Sequence, residues 1–212
     1  MRSIAPTATR ALSSVTFVPP EGRRRLEAAL GGRAFWCISR QRAWGVPLPS
    51  FVGSGDEEEE EALNANAVRG VADIIAVHGA DVWWRKKTKN EEKNFSVTSS
   101  TTSQDDRANR LIDDIGKTAL KLSASDSSNS NSNSTANDDG PTRRGSDTLD
   151  VWFDSGSSWS SGPRSFPRAD LVVEGSDQHR GWFQASALLA AATGCSEPPF
   201  KSILTHGFVL DA

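Results

Sequence analysis

The stretch that decides the fold is residues 171–207, LVVEGSDQHRGWFQASALLAAATGCSEPPFKSILTHG. It opens with Leu171–Val172–Val173, a wholly apolar run with the pattern of a parallel strand buried on both faces. That run ends in Glu174–Gly175. A helix is predicted from about Asp177 to Thr193, with Ser176 or Asp177 as N-cap and Gly194 beyond its end. After Pro198–Pro199 a second strand, Ser202–Thr205, ends at His206–Gly207. Strand, helix and strand in so short a span make a βαβ unit, and hence a parallel sheet on neighbouring or near-neighbouring strands.

Ligands of such sheets bind beyond the carboxyl ends of the strands. Glu174–Gly175 and His206–Gly207 both fall there. A glycine lets backbone approach a ligand closely, and a helix start offers unpaired N–H groups. A carboxylate accepts hydrogen bonds from an ammonium group or a ribose hydroxyl. The pattern points to a nucleotide or small polar ligand at this edge. Taken singly, the same residues have plainer readings. Glu174 or Asp177 suits a cap or a surface charge, His206 a hydrogen-bonded strand end, and Trp152 and Trp182 ordinary core.

Working outward, Leu149–Phe153 alternates apolar and acidic residues, and Ser155–Gly156 turns the chain. From Lys86 to Ser146 polar residues dominate, and Ser123–Asp139 is almost entirely Ser, Asn, Asp, Thr and Ala. Such a segment buries too little apolar surface to offset chain entropy, so residues 85–147 are predicted to be a disordered insertion. Arg107–Leu122 suits a short helix, an island within it. Residues from about Val15 to Trp84 look foldable: Phe17–Val18 and Phe35–Ile38 have strand character, with a helical turn or two over Glu21–Leu30 between them. The acidic run Asp56–Glu61 reads as a solvated helix start. Leu63, Ala67, Val71 and Ile74–Ile75 then recur at helical spacing, with Gly79 as terminator. The predicted division is therefore 1–84, 85–147 and 148–212.

Hydrophobic residues make up only 36% of the 212, and mean hydropathy is -0.47, which agrees with part of the chain lying outside any core. A net charge of -3 offers no global basic field to nucleic acid, although local patches remain open. Cys37 and Cys195 are the only cysteines, too few for a disulfide framework or a zinc site, so no bound metal is expected. No apolar run approaches the ~20 residues that span a bilayer, and no membrane partner is expected. Residues 1–20 carry Arg2 and Arg10 and no acid. That composition suits an organellar transit peptide, or an internal start within a longer protein.

Four strings carry more than their composition: WCISRQRAWG at 36–45, LDVWFDSG at 149–156, EGSDQHRGWF at 174–183 and LTHGFVLD at 204–211. In this order they closely resemble isoleucyl-tRNA synthetases, with weaker similarity in FVPPEGRRRLEAAL at 17–30 and GADVWW at 79–84. The resemblance omits the polar segment and reaches Met1, which favours an internal piece over a transit peptide. It implies an α/β fold, the second half of a class I Rossmann-type parallel sheet, preceded by a connecting segment. The implied activity is formation of isoleucyl-adenylate from isoleucine and ATP, with Mg2+, and transfer of the isoleucyl group to tRNA(Ile). Isoleucine, ATP and tRNA(Ile) are thus the implied partners, and a monomer is expected.

By the same resemblance Glu174, Gly175, Asp177 and Gln178 would contact the adenylate, its ribose and the aminoacyl end. Trp152 and Trp182 would wall the isoleucine side-chain pocket, and His206, Gly207 and Val209 would border the adenine. None is a nucleophile or obligatory general base. The chemistry would rest on positioning and charge stabilisation. The sequence contains no HIGH-type motif and no KMSKS loop. The isolated chain is therefore expected to be inactive in ATP–pyrophosphate exchange, and a truncated tRNA-binding or protein-interaction module is the alternative. Arg40 and Arg42 suit either the tRNA acceptor end or pairing with Asp150 or Asp154. The motif spellings resemble bacterial or organellar members, and a Ser/Asn-rich insertion is unusual in bacteria. Together they imply a mitochondrial or plastid enzyme, with the cytoplasm as alternative.

Overall fold

The computed structural model describes residues 4–53, 60–84, 100–127, 142–161, 168–208 and 210–211. In chain order its elements are α1 (Ala5–Ala11), β1 (Thr16–Val18), α2 (Gly22–Gly31), β2 (Ser39–Arg40), β3 (Phe51–Gly53), β4 (Glu60–Ala62), α3 (Ala65–His78), α4 (Asp81–Trp84), α5 (Ser100–Ser127), β5 (Arg143–Arg144), β6 (Thr148–Leu149), α6 (Val151–Gly156), β7 (Val172–Gly175), α7 (Trp182–Ala192) and β8 (Ser202–His206). They fall into two compact units. The first comprises Met1–Arg40 and Leu149–Ala212, the second Gln41–Thr148. This differs from the three-part division expected from composition. Composition shifts mark polar tracts, but they do not register the pairing of β1 with β8 from opposite ends of the sequence.

In the first unit the predicted βαβ unit is present, and its strands are direct neighbours. β7 and β8 run parallel, with Val172 opposite Ile203 and Gly175 opposite His206. β1 joins the far side of β8, also parallel, with Phe17 opposite Ile203. Phe17, Ile203 and Val172 therefore share one face and are buried, together with Leu12, Leu26, Leu30, Phe183 and Phe200 from the covering segments. The next row, Val18, Leu204 and Val173, points the other way. Val18 and Val173 are about half exposed, as is Leu171 ahead of β7. The expectation of a strand buried on both faces is thus corrected: among the described residues, helices cover only one face.

Two guanidinium and amide contacts lock α2 against this core. Arg23 donates to the carbonyls of Leu12 and Val15, both at 2.7 Å, and stacks over Phe17. Gln184 of α7 donates to the Ala29 carbonyl at 2.6 Å. Helix α2 is a full ten residues, longer than the turn or two expected. Phe35–Ile38 is not a strand, and Phe35 is exposed. Leu149–Phe153, for all its alternation, runs into helix α6, because Asp150 caps it by accepting from the Trp152 amide at 3.0 Å.

In the second unit β3 pairs antiparallel with β4 and β5, and Phe51 lies between Ala62 and Arg144. Helix α3 follows the predicted spacing, with Ala67, Val71 and Ile74 buried, and ends at Gly79 with φ +77°. The helix start is Asn64, which accepts from the Ala67 amide at 3.0 Å. Of the acidic run, Glu60 and Glu61 lie in β4 rather than in a helix, and 56–59 lie outside the described residues. The helix expected over Arg107–Leu122 lies within the longer α5, and it is no island. Ala108, Ile112 and Ala119 join Phe51, Val71 and Trp83 in one core. Arg144 ties β5 to α5 through Asn109 and Asp113, both at 2.9 Å. For these residues the prediction of disorder is corrected, since sparse apolar positions on one helix face suffice when a sheet is there to receive them. Residues 85–99 and 128–141 lie outside the described residues. Among the described residues no helix is long and apolar enough to cross a membrane.

Candidate active-site edge

The parallel register places Glu174 beside Thr205 and Gly175 beside His206, at the carboxyl ends of β7 and β8. The helix predicted from Asp177 is interrupted. Ser176–Arg180 forms a three-ten turn, Gly181 leaves the helical region at φ -124° and ψ -112°, and α7 begins at Trp182. Neither Ser176 nor Asp177 caps α7. Instead the Gln178 side-chain carbonyl accepts from the Trp182 amide at 2.9 Å, while its amide donates to Asp177 Oδ2 at 2.9 Å. Gln178 thus links the Asp177 carboxylate to the start of α7.

Close approach explains the glycines of this turn. A Cβ on Gly175 would meet Asp177 Oδ1 at 2.5 Å and His206 Cε1 at 3.8 Å. A Cβ on Gly181 would meet Gln178 Oε1 at 2.7 Å and the Trp152 ring at 3.1 Å. Trp152 therefore lies against the backbone of the turn, 42% exposed. Trp182 is anchored by donation from Nε1 to the Ser155 carbonyl at 2.9 Å and packs against the core. Both tryptophans converge on the junction of α6 with α7. His206 is exposed, with Nδ1 2.6 Å from the Gly207 carbonyl. A Cβ on Gly207 would meet nothing within 4 Å, so packing does not require glycine there. Val209 lies outside the described residues.

The edge thus brings together Glu174, Gly175, Asp177, Gln178, His206 and Gly207, with Trp152 and Trp182 joined to it through Gly181 and Gln178. Glu174 is exposed and has no hydrogen-bond or ion-pair partner among the described residues. Among the described residues no group of three or more His, Cys, Asp or Glu side chains is placed to hold a metal ion.

Behind Trp152 lies a cluster that sequence reasoning left undecided. Asp150, 3% exposed, accepts from Trp36 Nε1 at 2.8 Å and from Arg40 at 2.5 Å. Arg40 also donates to the Cys37 and Ser39 carbonyls at 2.6 and 2.7 Å. Of the two readings of Arg40, intramolecular pairing is the one observed; Arg42 is exposed. Burial raises the Asp154 carboxyl above its ordinary 3.8, and the Asp150 charge adds to the effect. Hydrogen bonds from Ser39 lower the exposed Cys37 thiol. His179 was also missed. It is 2% exposed, with Nδ1 2.6 Å from the Ser176 carbonyl and its ring edge-on to Phe183. A polar ring between two glycines gives no periodicity signal, and the alternation of Leu149–Phe153 hid the capping role of Asp150.

The family model for tRNA synthetases class I (I, L, M and V) matches residues 1–212. An isoleucine–tRNA ligase of Parasynechococcus marenigrum (strain WH8102) is 40% identical over 96% of this chain, which corresponds to 17% of that protein. The isoleucine–tRNA ligases of Gloeothece citriformis (strain PCC 7424) and Synechocystis sp. (strain ATCC 27184 / PCC 6803 / Kazusa) are each 37% identical, over 97% and 96% of the chain and 17% of their own length. The matches run beyond the four motif blocks and into the polar segment that the resemblance was expected to omit. The chain spans about a sixth of the length of these relatives. A parallel α/β sheet carrying the motif residues at its carboxyl edge, and a family match over the whole sequence, lead to one conclusion: this chain belongs to the class I tRNA synthetases.

Proposed function

We propose that the carboxyl edge of β7 and β8 is part of the isoleucyl-adenylate site of an isoleucine–tRNA ligase, within the second half of a Rossmann-type sheet. The observation that carries this reading is the register that sets Glu174–Gly175 beside Thr205–His206 on adjacent parallel strands. In the proposed reaction the isoleucine carboxylate attacks the α-phosphate of ATP, presented with Mg2+, and pyrophosphate leaves. The isoleucyl group then passes to the terminal ribose of tRNA(Ile).

The residues of this chain bind and orient. The Glu174 carboxylate accepts from the substrate ammonium, and Asp177, held by Gln178, accepts from a ribose hydroxyl. Gly175 admits the nucleotide to the backbone, and His206, Gly207 and Val209 border the adenine. Trp152 and Trp182 wall the isoleucine side chain, one fixed against Gly181 and the other through Ser155. Holding both reactants in one geometry is the main contribution such residues make, because it removes the entropy cost of encounter. The bacterial or organellar spelling of the motifs supports a mitochondrial or plastid location, with the cytoplasm as alternative.

The test is calorimetric titration of the full chain with a sulfamoyl analogue of isoleucyl-adenylate. A hydrogen bond to a charged group contributes about 1.5–3 kcal/mol, so Glu174→Ala should weaken binding by roughly 10- to 100-fold. Equal affinity in the variant would remove the edge from the adenylate site.

A further inference from the structure

A cleft of 330 Å³ opens at the amino ends of β7 and β8, the opposite end of the sheet from Gly175 and His206. Ala169 bridges to Phe200 there, ahead of both strands. The walls are chiefly apolar, formed by Val172, Trp182, Pro199 and Phe200. Two polar side chains interrupt them. Ser186 is 2% exposed, and neither its Oγ nor the buried Nε1 of Trp159 has a hydrogen-bond partner among the described residues. A serine inside a helix can bond the carbonyl four residues back, but Ser186, in the middle of α7, does not. A buried polar group left unpaired costs more than an apolar group of the same shape, so both atoms burden the fold unless a ligand accepts from them. The charged residues of the lining are already engaged. Arg168 pairs with Glu197 at 2.8 Å and donates to the Pro198 and Phe200 carbonyls, and Asp170 pairs with Lys201 at 2.7 Å.

We propose that this cleft binds a small apolar molecule carrying an uncharged carbonyl group. The indole of Trp159 can only donate and Ser186 has a hydroxyl hydrogen to give, so the group that answers both is an acceptor. With Arg168 and Asp170 each neutralised by a partner, nothing in the lining offsets the cost of burying a carboxylate or an ammonium. Apolar walls with a few placed polar groups are the usual make-up of a small-molecule pocket. The cleft's volume sits at the small end of the ~300–1,000 Å³ that such pockets span. Of the residues proposed for the adenylate site, Trp182 alone lines this cleft. The proposal therefore stands independently of the ligase reading.

The experiment is a fluorine NMR titration of the full chain with para-fluoroacetophenone. Its counterpart is para-fluorocumene, in which an isopropyl group replaces the acetyl group and removes the acceptor. The ketone should bind with saturation at millimolar concentration, and the hydrocarbon more weakly. Ser186→Ala and Trp159→Phe each remove one donor, and each should weaken the ketone by roughly 2- to 10-fold while leaving the hydrocarbon's affinity unchanged. Ser186→Ala should also melt at or above the temperature of the unaltered chain, because it removes an unpaired buried hydroxyl. A lowered melt would show that the hydroxyl serves the fold, and it would overturn the proposal. Glu174→Ala should keep the ketone's affinity, whereas a loss would move the probe to the carboxyl edge of the sheet. Equal affinities for ketone and hydrocarbon also overturn the proposal. So does the absence of any saturable shift, which would leave the cleft to solvent.

Discussion

Asp150 joins two sequence motifs that lie 114 residues apart at their contact, Trp36 to Asp150. Its carboxylate answers three donors at once: the Trp36 indole, the Arg40 guanidinium and the Trp152 amide. Removing one member of a buried charged pair strands the other, and the cost greatly exceeds what the intact pair contributes. Asp150→Ala should therefore destabilise the fold by about 3 kcal/mol, the low end for such removals, because Arg40 keeps a third of its side chain in water. Arg40→Ala, which leaves the carboxylate its Trp36 and Trp152 donors, should cost less, about 1.5–2 kcal/mol, the low end for a hydrogen bond to a charged group. Urea unfolding of the two variants checks the order, and equal midpoints would show that the carboxylate does not organise the cluster. Asp is a favoured cap ahead of a helix, but the alternation of Leu149–Phe153 concealed that a helix begins at Val151. Pairing of Arg40 with Asp150 was one of the readings the sequence left open, whereas Trp36 carries neither charge nor a periodic signal toward position 150.

At the scale of elements, apolar runs and periodic helices were legible. β1, α3, β7, α7 and β8 lie within a few residues of where their patterns set them, and Gly79 and Gly194 end their helices at positive φ as terminators should. The errors share a cause: the local pattern was overruled by what the segment meets. Helix α5 shows this best, because its weak apolar spacing becomes a buried face only against β3 and α3. Gly116 lies on that face, and a Cβ there would overlap the Phe51 ring and come within 2.8 Å of Thr142. In an exposed helix interior, Gly→Ala gains up to about 1 kcal/mol from propensity. Overpacking a rigid core costs about 1–3 kcal/mol. The ring of Phe51 is fully buried and has nowhere to retreat, so Gly116→Ala should lower stability by about 1 kcal/mol or more. A thermal melt shifted upward would mean that the α5–β3 contact is looser than its geometry.

For the molecule as a whole, the two hydrophobic cores have no residue in common. One gathers Leu26, Leu30, Phe183 and Ile203, the other Phe51, Val71, Trp83 and Ile112. The candidate site was legible because its strands and motifs all stand on the first core; the second core was obscured by the polar residues that interrupt it. Separate cores predict separate openings, each governed by its own buried contacts. Leu26→Ala and Ile112→Ala each delete a fully buried side chain, at a cost of about 2–5 kcal/mol. Native-state hydrogen exchange should then show Ile112→Ala speeding amides of α3 and α5 while those of β8 and α7 keep their rates, with Leu26→Ala doing the reverse. Affinity for the adenylate analogue should follow the first core alone: weakened by Leu26→Ala, unmoved by Ile112→Ala. If both variants speed both sets of amides by the same free energy, the chain opens as one cooperative body, and the adenylate edge depends on the polar half of the sequence as much as on its own strands.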